Sequence, residues 1–217
     1  MKFSKILVAN RGEIAVRVMQ TAKAMGYQTV AVYSDADRNA RHVQEADEAV
    51  YIGASKVLES YLSIAKIIEA CKKTGADAVH PGYGFLSENT DFAQACIDNQ
   101  ITFIGPTASA IELMGSKRLS KIAMIEAGVP CVPGYEGDRQ DLEYLATQAE
   151  QIGFPIMVKA SAGGGGRGMR LVQQASELFE ALQTARSEAE NAFGSGELIL
   201  EKAVLAPRHV EIQVFGD

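Results

Sequence analysis

Short apolar runs rich in β-branched residues alternate with amphipathic stretches over roughly the first half of the chain. The runs KILVAN, TVAVYS, EAVYIG, DAVHPG and TFIG predict five strands. Between them, apolar residues at helical spacing predict helices over 13–25, 41–46 and 61–73, with a fourth after Ser87. Because such alternation is typical of consecutive βα units, the pattern predicts an α/β fold with a doubly wound parallel sheet over residues 1–105.

The order of elements changes after this sheet. Residues 106–130 predict a helical connector interrupted at Gly115, and the Pro- and Gly-rich run GVPCVPGY at its end disfavours regular structure. Residues 131–203 predict, in order, a helix, a strand, a strand, a helix and a strand, over 141–151, 155–161, 169–172, 176–192 and 198–202. A short glycine-rich turn joins the first two strands into an antiparallel hairpin, so a small α+β domain is expected here.

Residues 204–217 carry a different pattern. Val210, Ile212 and Val214 alternate with polar residues, which predicts a half-buried strand. No second strand follows it in the sequence, so we expect this segment to pair with a sheet outside these residues.

Composition excludes several classes of function. Of the 217 residues 47% are hydrophobic and 22% charged, and no segment approaches the ~20 uninterrupted apolar residues of a membrane span. The net charge of -6 disfavours a nucleic-acid backbone binder, which needs a basic face. The N-terminus runs straight into a strand without the features of a secretory signal. We therefore expect a cytoplasmic protein that binds neither membrane nor nucleic acid.

The three cysteines are Cys71, Cys96 and Cys131, and none forms a C-x-x-C pair. Metal and redox sites commonly use such pairs. We interpret these residues as small buried hydrophobes.

The run KASAGGGGRGMR fits G-x-G-x-x-G from Gly163 to Gly168, the fingerprint of a dinucleotide site. That fingerprint must open a helix, whereas MRLV continues here as a strand. Consecutive glycines instead allow backbone N–H groups to approach phosphate oxygens. Four glycines in a row cost conformational entropy without contributing packing, so we interpret the run as a flexible phosphate lid rather than a loose surface hairpin.

Lys159 lies on the strand that leads into the glycines. It is on the face opposite Ile156 and Val158, where its charge would be unpaired unless an anion met it. A phosphate group would be such an anion.

Lys117 follows Gly115 and Ser116 at a predicted helix start. Free N–H groups and the helix dipole favour an anion at such a position. Arg118 and Lys121 could equally supply the positive charge, and exposed lysines often serve solubility alone.

Three further segments have both a functional and a structural interpretation. The strand that ends at Glu201 and Lys202 could present backbone N–H and C=O groups to an adenine, or be an ordinary strand end. His209 could contact a ribose or lie on the surface. HPGYGFLSEN follows the fourth strand, at the edge where parallel sheets bind ligands, but Ser87 and Asn89 also fit a helix cap.

Taken in order and spacing, ILVANRGEIAVRV, DAVHPGYGFLSEN, FIGP, GVPCVPG, KASAGGGGRGM, LEK and PRHVEIQV resemble the biotin carboxylase component of biotin-dependent carboxylases. The resemblance spans the whole chain. It implies an ATP-grasp fold and a ligase that phosphorylates bicarbonate with MgATP and carboxylates biotin on a carrier protein. It also implies phosphate binding by Lys117 and Lys159, a lid at Gly165 and Gly166, an adenine edge at Glu201, Lys202 and Val204, a ribose contact at His209, and a place for Tyr83 near biotin.

The resemblance also implies what these residues lack. In the family the Mg²⁺ ligands, the bicarbonate cluster and the catalytic residues lie in a C-terminal ATP-grasp domain, of which residues 204–217 would be only the beginning. The chain alone is then expected to bind ATP without turnover. Implied partners are a biotin carboxyl carrier domain or protein, a carboxyltransferase subunit and bicarbonate, and the full-length enzyme is expected to be oligomeric.

VYSDADRNARHVQEADEAV is most similar to the α-chains of acyl-CoA carboxylases of the methylcrotonyl, geranyl or propionyl kind. Two alternatives stay open. One is another ATP-grasp ligase, of the carbamoyl-phosphate synthase or purine-pathway type, against which HPGYGFLSEN argues. The other is a nucleotide-binding module without catalysis.

Overall fold

The computed structural model of the chain describes residues 3–163 and 168–213. The chain folds into two compact units, Met1–Glu112 and Leu113–Asp217. Each unit has a sheet of its own, and the two sheets differ in strand direction.

The first unit is built on a five-stranded parallel sheet. Its strands are β1 (Lys5–Val8), β2 (Gln28–Ser34), β3 (Glu48–Gly53), β4 (Ala78–His80) and β5 (Thr102–Phe103). They lie in the order β3-β2-β1-β4-β5, and Ile6 of β1 pairs with Thr29 on one side and Ala78 on the other. Strand order therefore reverses beside β1, which confirms the predicted doubly wound sheet.

Four helices connect these strands: α1 (Gly12–Ala24), α2 (Arg41–Glu45), α3 (Ile64–Thr74) and α4 (Thr90–Asp98). α3 ends at Gly75, whose φ of 68° allows the left-handed cap that donates to the carbonyl of Cys71. α3 begins three residues later than expected, since Tyr61 is buried in the core and hydrogen-bonds Asp37 instead of entering the helix.

Both faces of the parallel sheet are covered. Leu7, Val30 and Val79 belong to the core that α3 and α4 complete. Ile6 and Val8 point the other way and pack with Met19 of α1 and its neighbours. Strands that are buried on both faces read as continuous apolar runs, which explains why KILVAN and TVAVYS were recognisable in the sequence.

The second unit holds a four-stranded antiparallel sheet in the order β6-β9-β7-β8. Helix α5 spans Ala108–Gly115 and crosses the boundary between the units. The remaining elements are α6 (Lys117–Glu126), β6 (Gly134–Tyr135), α7 (Leu142–Ile152), β7 (Ile156–Ala160), β8 (Met169–Val172), α8 (Leu178–Phe193) and β9 (Leu198–Lys202). The predicted hairpin is β7 and β8, and α7 and α8 pack their buried leucines and alanines on one face of the sheet.

β6 corrects one prediction. GVPCVPGY was expected to lack regular structure, but Gly134 and Tyr135 pair with Glu201 and Leu200 of β9. Pro133 needs no N–H for this pairing, because its carbonyl accepts the N–H of Lys202 at 2.8 Å. A Cβ on Gly134 would lie 2.1 Å from the carbonyl oxygen of Leu200, so the glycine is what permits the close approach.

The strand predicted near the C-terminus has no partner within the part of the chain that the structure describes, and its pairing with a sheet outside these residues stays a prediction. Residues 207–213 have no regular structure there, and Val210 and Ile212 are 67% and 80% exposed. Val214 lies outside the described residues. Alternation indicates which face of a strand would be buried, but a strand also needs a neighbour to accept its hydrogen bonds.

Candidate nucleotide site

A cavity of about 320 Å³ lies in the second unit, between α6 and the face of the sheet that α7 and α8 leave open. Its charged lining residues are Lys117, Lys121, Lys159 and Glu201, and its other lining residues are Ser120, Met124, Cys131, Val132 and Ile199. The two lysines predicted to bind phosphate thus line one cavity.

Lys159 takes its orientation from the alternation of β7. Ile156 and Val158 are fully buried on the helix side of the sheet, so Lys159 points to the opposite face, as predicted. The anion that meets its charge in the structure is a carboxylate of the protein: Nζ of Lys159 lies 2.5 Å from Oε2 of Glu201. Glu201 of β9 pairs with Met157 of β7, so its side chain lies on the same face as Lys159 and diagonally across from it. The register of the two strands creates this proximity.

Glu201 binds two cations through its two oxygens. Oε2 accepts from Lys159, and Oε1 accepts from Nζ of Lys121 at 3.1 Å. Burial by itself raises the pKa of Glu201, but the hydrogen bond and charge of Lys159, and then those of Lys121, outweigh burial and hold the pKa below its ordinary value. Glu201 is therefore a carboxylate at neutral pH.

Lys117 begins α6, and the structure corrects the reason for expecting an anion there. The first N–H groups of the helix are already bonded: that of Lys117 donates to the Ser161 carbonyl at 2.9 Å, and that of Leu119 to the Ser116 hydroxyl at 3.2 Å. The Arg118 N–H donates to the Ser161 hydroxyl at 3.4 Å. Lys117 would therefore act on a phosphate through its side chain.

The ammonium of Lys117 contacts the chain where the glycine run begins. It donates to the carbonyl oxygen of Gly163 and lies 3.4 Å from that of Ala162. Burial, and then the positive charge of Lys159, lower the pKa of Lys117. Two cations therefore repel each other at one end of the cavity, and an anion between them would relieve that repulsion.

The glycine run is described only at its two ends, since residues 164–167 lie outside the described part of the chain. The predicted lid residues Gly165 and Gly166 are among those. Gly163 and Gly168 have φ values of 78° and 69°, which glycine adopts without strain. The expectation that the run lacks a packing role is wrong for Gly163, because a Cβ there would lie 2.2 Å from the Phe193 ring.

The predicted adenine edge is partly occupied by protein. The N–H of Lys202 donates to Pro133, and the side chain of Lys202 donates to the carbonyls of Gly153 and Phe154 at 2.9 and 2.8 Å. Lys202 therefore stabilises the turn before β7. Val204, two residues further on, is exposed.

His209 is not among the residues that line the cavity. Its side chain is 83% exposed, and Nε2 lies 3.3 Å from a carboxylate oxygen of Glu211. Its role as a ribose contact stays a prediction.

Tyr83 belongs to the first unit, on the loop after β4, and is 75% exposed. Asn10, at the end of β1, is buried and donates through its amide to the carbonyls of Pro81 and Tyr83, both at 2.9 Å. Gly82, with a φ of 68°, lets the loop pass against that amide. Asn10 thus sets the position of Tyr83, a role hidden within ANRGEI.

Asn89 caps α4, since its side chain accepts the N–H of Phe92 at 2.7 Å.

Lys121 was named in the sequence analysis only as an alternative source of positive charge to Lys117, and Glu136 was not recognised as a member of the site. Lys121 lies one turn after Lys117 and only 7% of its side chain is exposed, with Nζ 3.5 Å from Oε2 of Glu136. Spacing along α6 places Lys117 and Lys121 on one face, which was the available signal. Nothing local indicated Glu136, because its place follows from the pairing of β6.

Within residues 3–163 and 168–213, no group of three or more His, Cys, Asp or Glu side chains is arranged to hold a metal ion. Nor does that part of the chain contain a helix both long and apolar enough to cross a bilayer.

Comparison with known proteins identifies the family of the chain. The family described as biotin carboxylase, N-terminal domain, matches residues 2–111, and the ATP-binding domain of the carbamoyl-phosphate synthase L chain matches residues 116–217. The mitochondrial methylcrotonoyl-CoA carboxylase subunit alpha of Arabidopsis thaliana is 57% identical over 213 residues. That alignment covers 98% of this chain and 29% of the plant protein.

Two solved structures are similar to the chain. One is the biotin carboxylase domain dimer of Hydrogenobacter thermophilus 2-oxoglutarate carboxylase with MgADP, ADP and bicarbonate, at a TM-score of 0.89 and 50% identity, covering 94% of this chain and 45% of that one. The other is a biotin carboxylase complex with β,γ-ATP from Campylobacter jejuni, at a TM-score of 0.90 and 46% identity, covering 95% and 46%. The chain therefore spans less than half of each of these proteins, and on the family match and these relatives together it belongs to the biotin carboxylase family.

Proposed function

We propose that the chain is the ATP-binding part of a biotin carboxylase, a ligase that uses MgATP and bicarbonate to carboxylate biotin on a carrier protein. The observation that carries the proposal is the pair of ammonium groups, Lys117 and Lys159, that line one cavity and repel each other. Among the described residues, Glu201 is the one carboxylate that binds Lys159, and Lys117 contacts carbonyl oxygens. The phosphates of a nucleotide would neutralise this excess of positive charge.

The rest of the cavity suits a nucleotide as well. Met124, Val132 and Ile199 give it an apolar wall on which a base can lie. The backbone from Glu201 to Val204 follows directly, and we retain it as the edge that reads the adenine. Gly165 and Gly166 stay the proposed cover over the phosphates, and His209 the proposed ribose contact.

In the described part of the chain, no group of three or more acidic, His or Cys side chains is arranged to hold the Mg²⁺ that this chemistry uses. We propose that the Mg²⁺ ligands, the bicarbonate site and the catalytic residues lie in the region that its relatives carry in addition. When bound, Mg²⁺ would neutralise charge on the phosphates being transferred. The part of this chain is to bind and orient ATP, and Tyr83, held by Asn10, would lie near biotin.

The partners follow from the same proposal. They are a biotin carboxyl carrier domain or protein and a carboxyltransferase subunit, within an oligomeric enzyme. Similarity to a methylcrotonoyl-CoA carboxylase subunit supports an acyl-CoA carboxylase α-chain. The cytoplasmic location stays a prediction, and the plant relative is named as mitochondrial.

A second candidate is another ATP-grasp ligase, which the match of residues 116–217 to a carbamoyl-phosphate synthase domain supports. Residues 2–111 favour biotin carboxylase over it, because their match is to the biotin carboxylase N-terminal domain. Biotin-dependent ATP hydrolysis by the complete enzyme separates the two candidates.

Replacing Lys159 with alanine tests the assignment directly. The wild-type chain is expected to bind ATP weakly, with a Kd of roughly 0.1 to 1 mM, because the metal clamp is supplied elsewhere. Loss of a charged phosphate partner should weaken binding by about tenfold or more in an NMR titration. Lys72→Ala, which removes an exposed lysine from α3, is the control. Equal affinity of the Lys159→Ala and wild-type chains would contradict the phosphate role of Lys159.

A further inference from the structure

Lys121 is the most deeply buried lysine of the site, with 7% of its side chain exposed. A buried ammonium is costly unless carboxylates or other acceptors surround it. Two carboxylates meet Lys121: Oε1 of Glu201 at 3.1 Å and Oε2 of Glu136 at 3.5 Å. That Glu136 oxygen is buried and accepts no hydrogen bond from any described residue, so Lys121 is the charge that it faces.

Four charges of alternating sign therefore run through the site. Glu136 faces Lys121, Lys121 binds Glu201, and Glu201 binds Lys159 at 2.5 Å. The last member, Lys159, lines the same cavity as Lys117 and is the one proposed to bind phosphate. The other three lie on α6, after β6 and on β9.

The bond between Lys159 and Glu201 has a consequence for phosphate binding. Lys159 must share or give up this bond when a phosphate arrives, so a stronger bond means weaker phosphate binding. The attraction between Lys159 and Glu201 becomes weaker when other cations neutralise more of the Glu201 charge. Lys121 donates to Oε1, the other oxygen of the Glu201 carboxylate. Because Lys121 is buried beside Glu136, its ammonium stays at Glu201 when a phosphate binds to Lys159.

We propose that Lys121 is a positioning residue for the nucleotide phosphates: it holds Glu201 in place and neutralises it, so that Lys159 can exchange this carboxylate for a phosphate. The inference rests on the proposed function, because it assumes that Lys159 binds phosphate. Glu136 opposes the effect by drawing Lys121 away from Glu201. Lys121 itself touches no phosphate in this proposal.

The test measures the ratio of the affinities for ATP and for adenosine, which would not change if Lys121 had only a structural role. The affinities for ATP and for adenosine are determined by NMR titration of the full 217-residue chain, and their ratio reports the phosphates alone. Lys121→Met should lower this ratio about tenfold, while Lys121→Arg, which keeps the charge, should preserve it. Glu136→Gln should raise the ratio, because Lys121 is then left to Glu201 alone.

A double variant tests whether Lys121 affects phosphate binding through Glu201. In a Glu201→Gln background there is no carboxylate to retain Lys159, so adding Lys121→Met should change the ratio by less than about twofold. An equal loss with and without Glu201 would overturn the proposal, and so would an unchanged ratio in Lys121→Met. If Lys121→Met does not fold, Glu136→Gln decides: a ratio at or below the wild-type value would overturn the inference.

Lys159→Ala separates this inference from the proposed function. If Lys159→Ala leaves the ratio unchanged, the phosphate role of Lys159 fails, and the proposed function fails with it at this residue. If Lys159→Ala lowers the ratio and the Lys121 and Glu136 variants do not shift it in opposite directions, the function stands and the role of Lys121 is wrong.

Discussion

At the scale of single residues, the site depends on one carboxylate shared between two lysines. The sequence indicated Glu201 for its backbone, as part of an adenine edge, whereas the structure shows its side chain bonded to Lys121 and Lys159. The three residues are far apart in sequence. Their meeting follows from the register of β7 and β9 and from the place of α6 beside that sheet.

Glu201 should therefore link stability to pH. Its pKa is lowered in the folded chain, so its contribution is complete above the ordinary carboxyl pKa of about 4.3 and is lost as the pH falls through the lower folded value. Glu201→Gln should reduce the free energy of unfolding at pH 7 by about 3 kcal/mol, because it leaves Lys159 without its carboxylate and the buried Lys121 with Glu136 alone. Urea unfolding at pH 7 and pH 3 measures both effects, and the difference between variant and wild type should shrink at pH 3.

Glu188→Gln is the matched control for this prediction. Glu188 pairs with Arg170 in the same unit, but its side chain is about half exposed, so its loss should change stability by less than about 1 kcal/mol. A Glu201→Gln variant as stable as Glu188→Gln at pH 7 would show that the shared carboxylate contributes nothing to folding.

At the scale of elements, the helices and the central strands agreed with prediction, and the short strand β6 did not. Helix α3 carries its own signals, an apolar stripe and the terminal Gly75, and those signals act within a few residues. β6 has two residues and no signal of its own. It exists because β9 offers an edge to which Pro133 and Gly134 can fit.

Gly134→Ala should break this pairing. The added Cβ would meet the carbonyl oxygen of Leu200 at 2.1 Å, which backbone movement alone can relieve. We expect faster hydrogen exchange at the Lys202 amide, which donates to Pro133, and a loss of stability of about 1 to 3 kcal/mol. Gly137→Ala is the control, since its Cβ would meet the side chain of Tyr135 instead. Unchanged exchange at Lys202 in Gly134→Ala would mean that β6 does not hold this edge.

At the scale of the whole molecule, the chain holds the cavity proposed to bind a nucleotide and covers 29% of its plant relative. Binding and turnover should therefore separate. The 217-residue chain is expected to bind ATP but to show no bicarbonate-dependent, biotin-stimulated ATP hydrolysis, because the groups that hold Mg²⁺ and bicarbonate are proposed to lie elsewhere. The comparison is with a polypeptide extended through the region its relatives carry in addition. Similar rates for the two would contradict the assignment of catalysis to that region.

The sequence by itself determined the family, the doubly wound sheet, the β7–β8 hairpin and the orientation of Lys159. These depend on order, spacing and alternation, which are properties of neighbouring residues. Only the tertiary structure decided that Lys159 has a carboxylate partner, that the N–H groups of Lys117 and Arg118 are bonded to Ser161, and that Gly163 packs against Phe193. Each of these contacts joins elements distant in sequence, and Coulomb attraction, hydrogen bonding and steric exclusion act on distance in space, which no local pattern records.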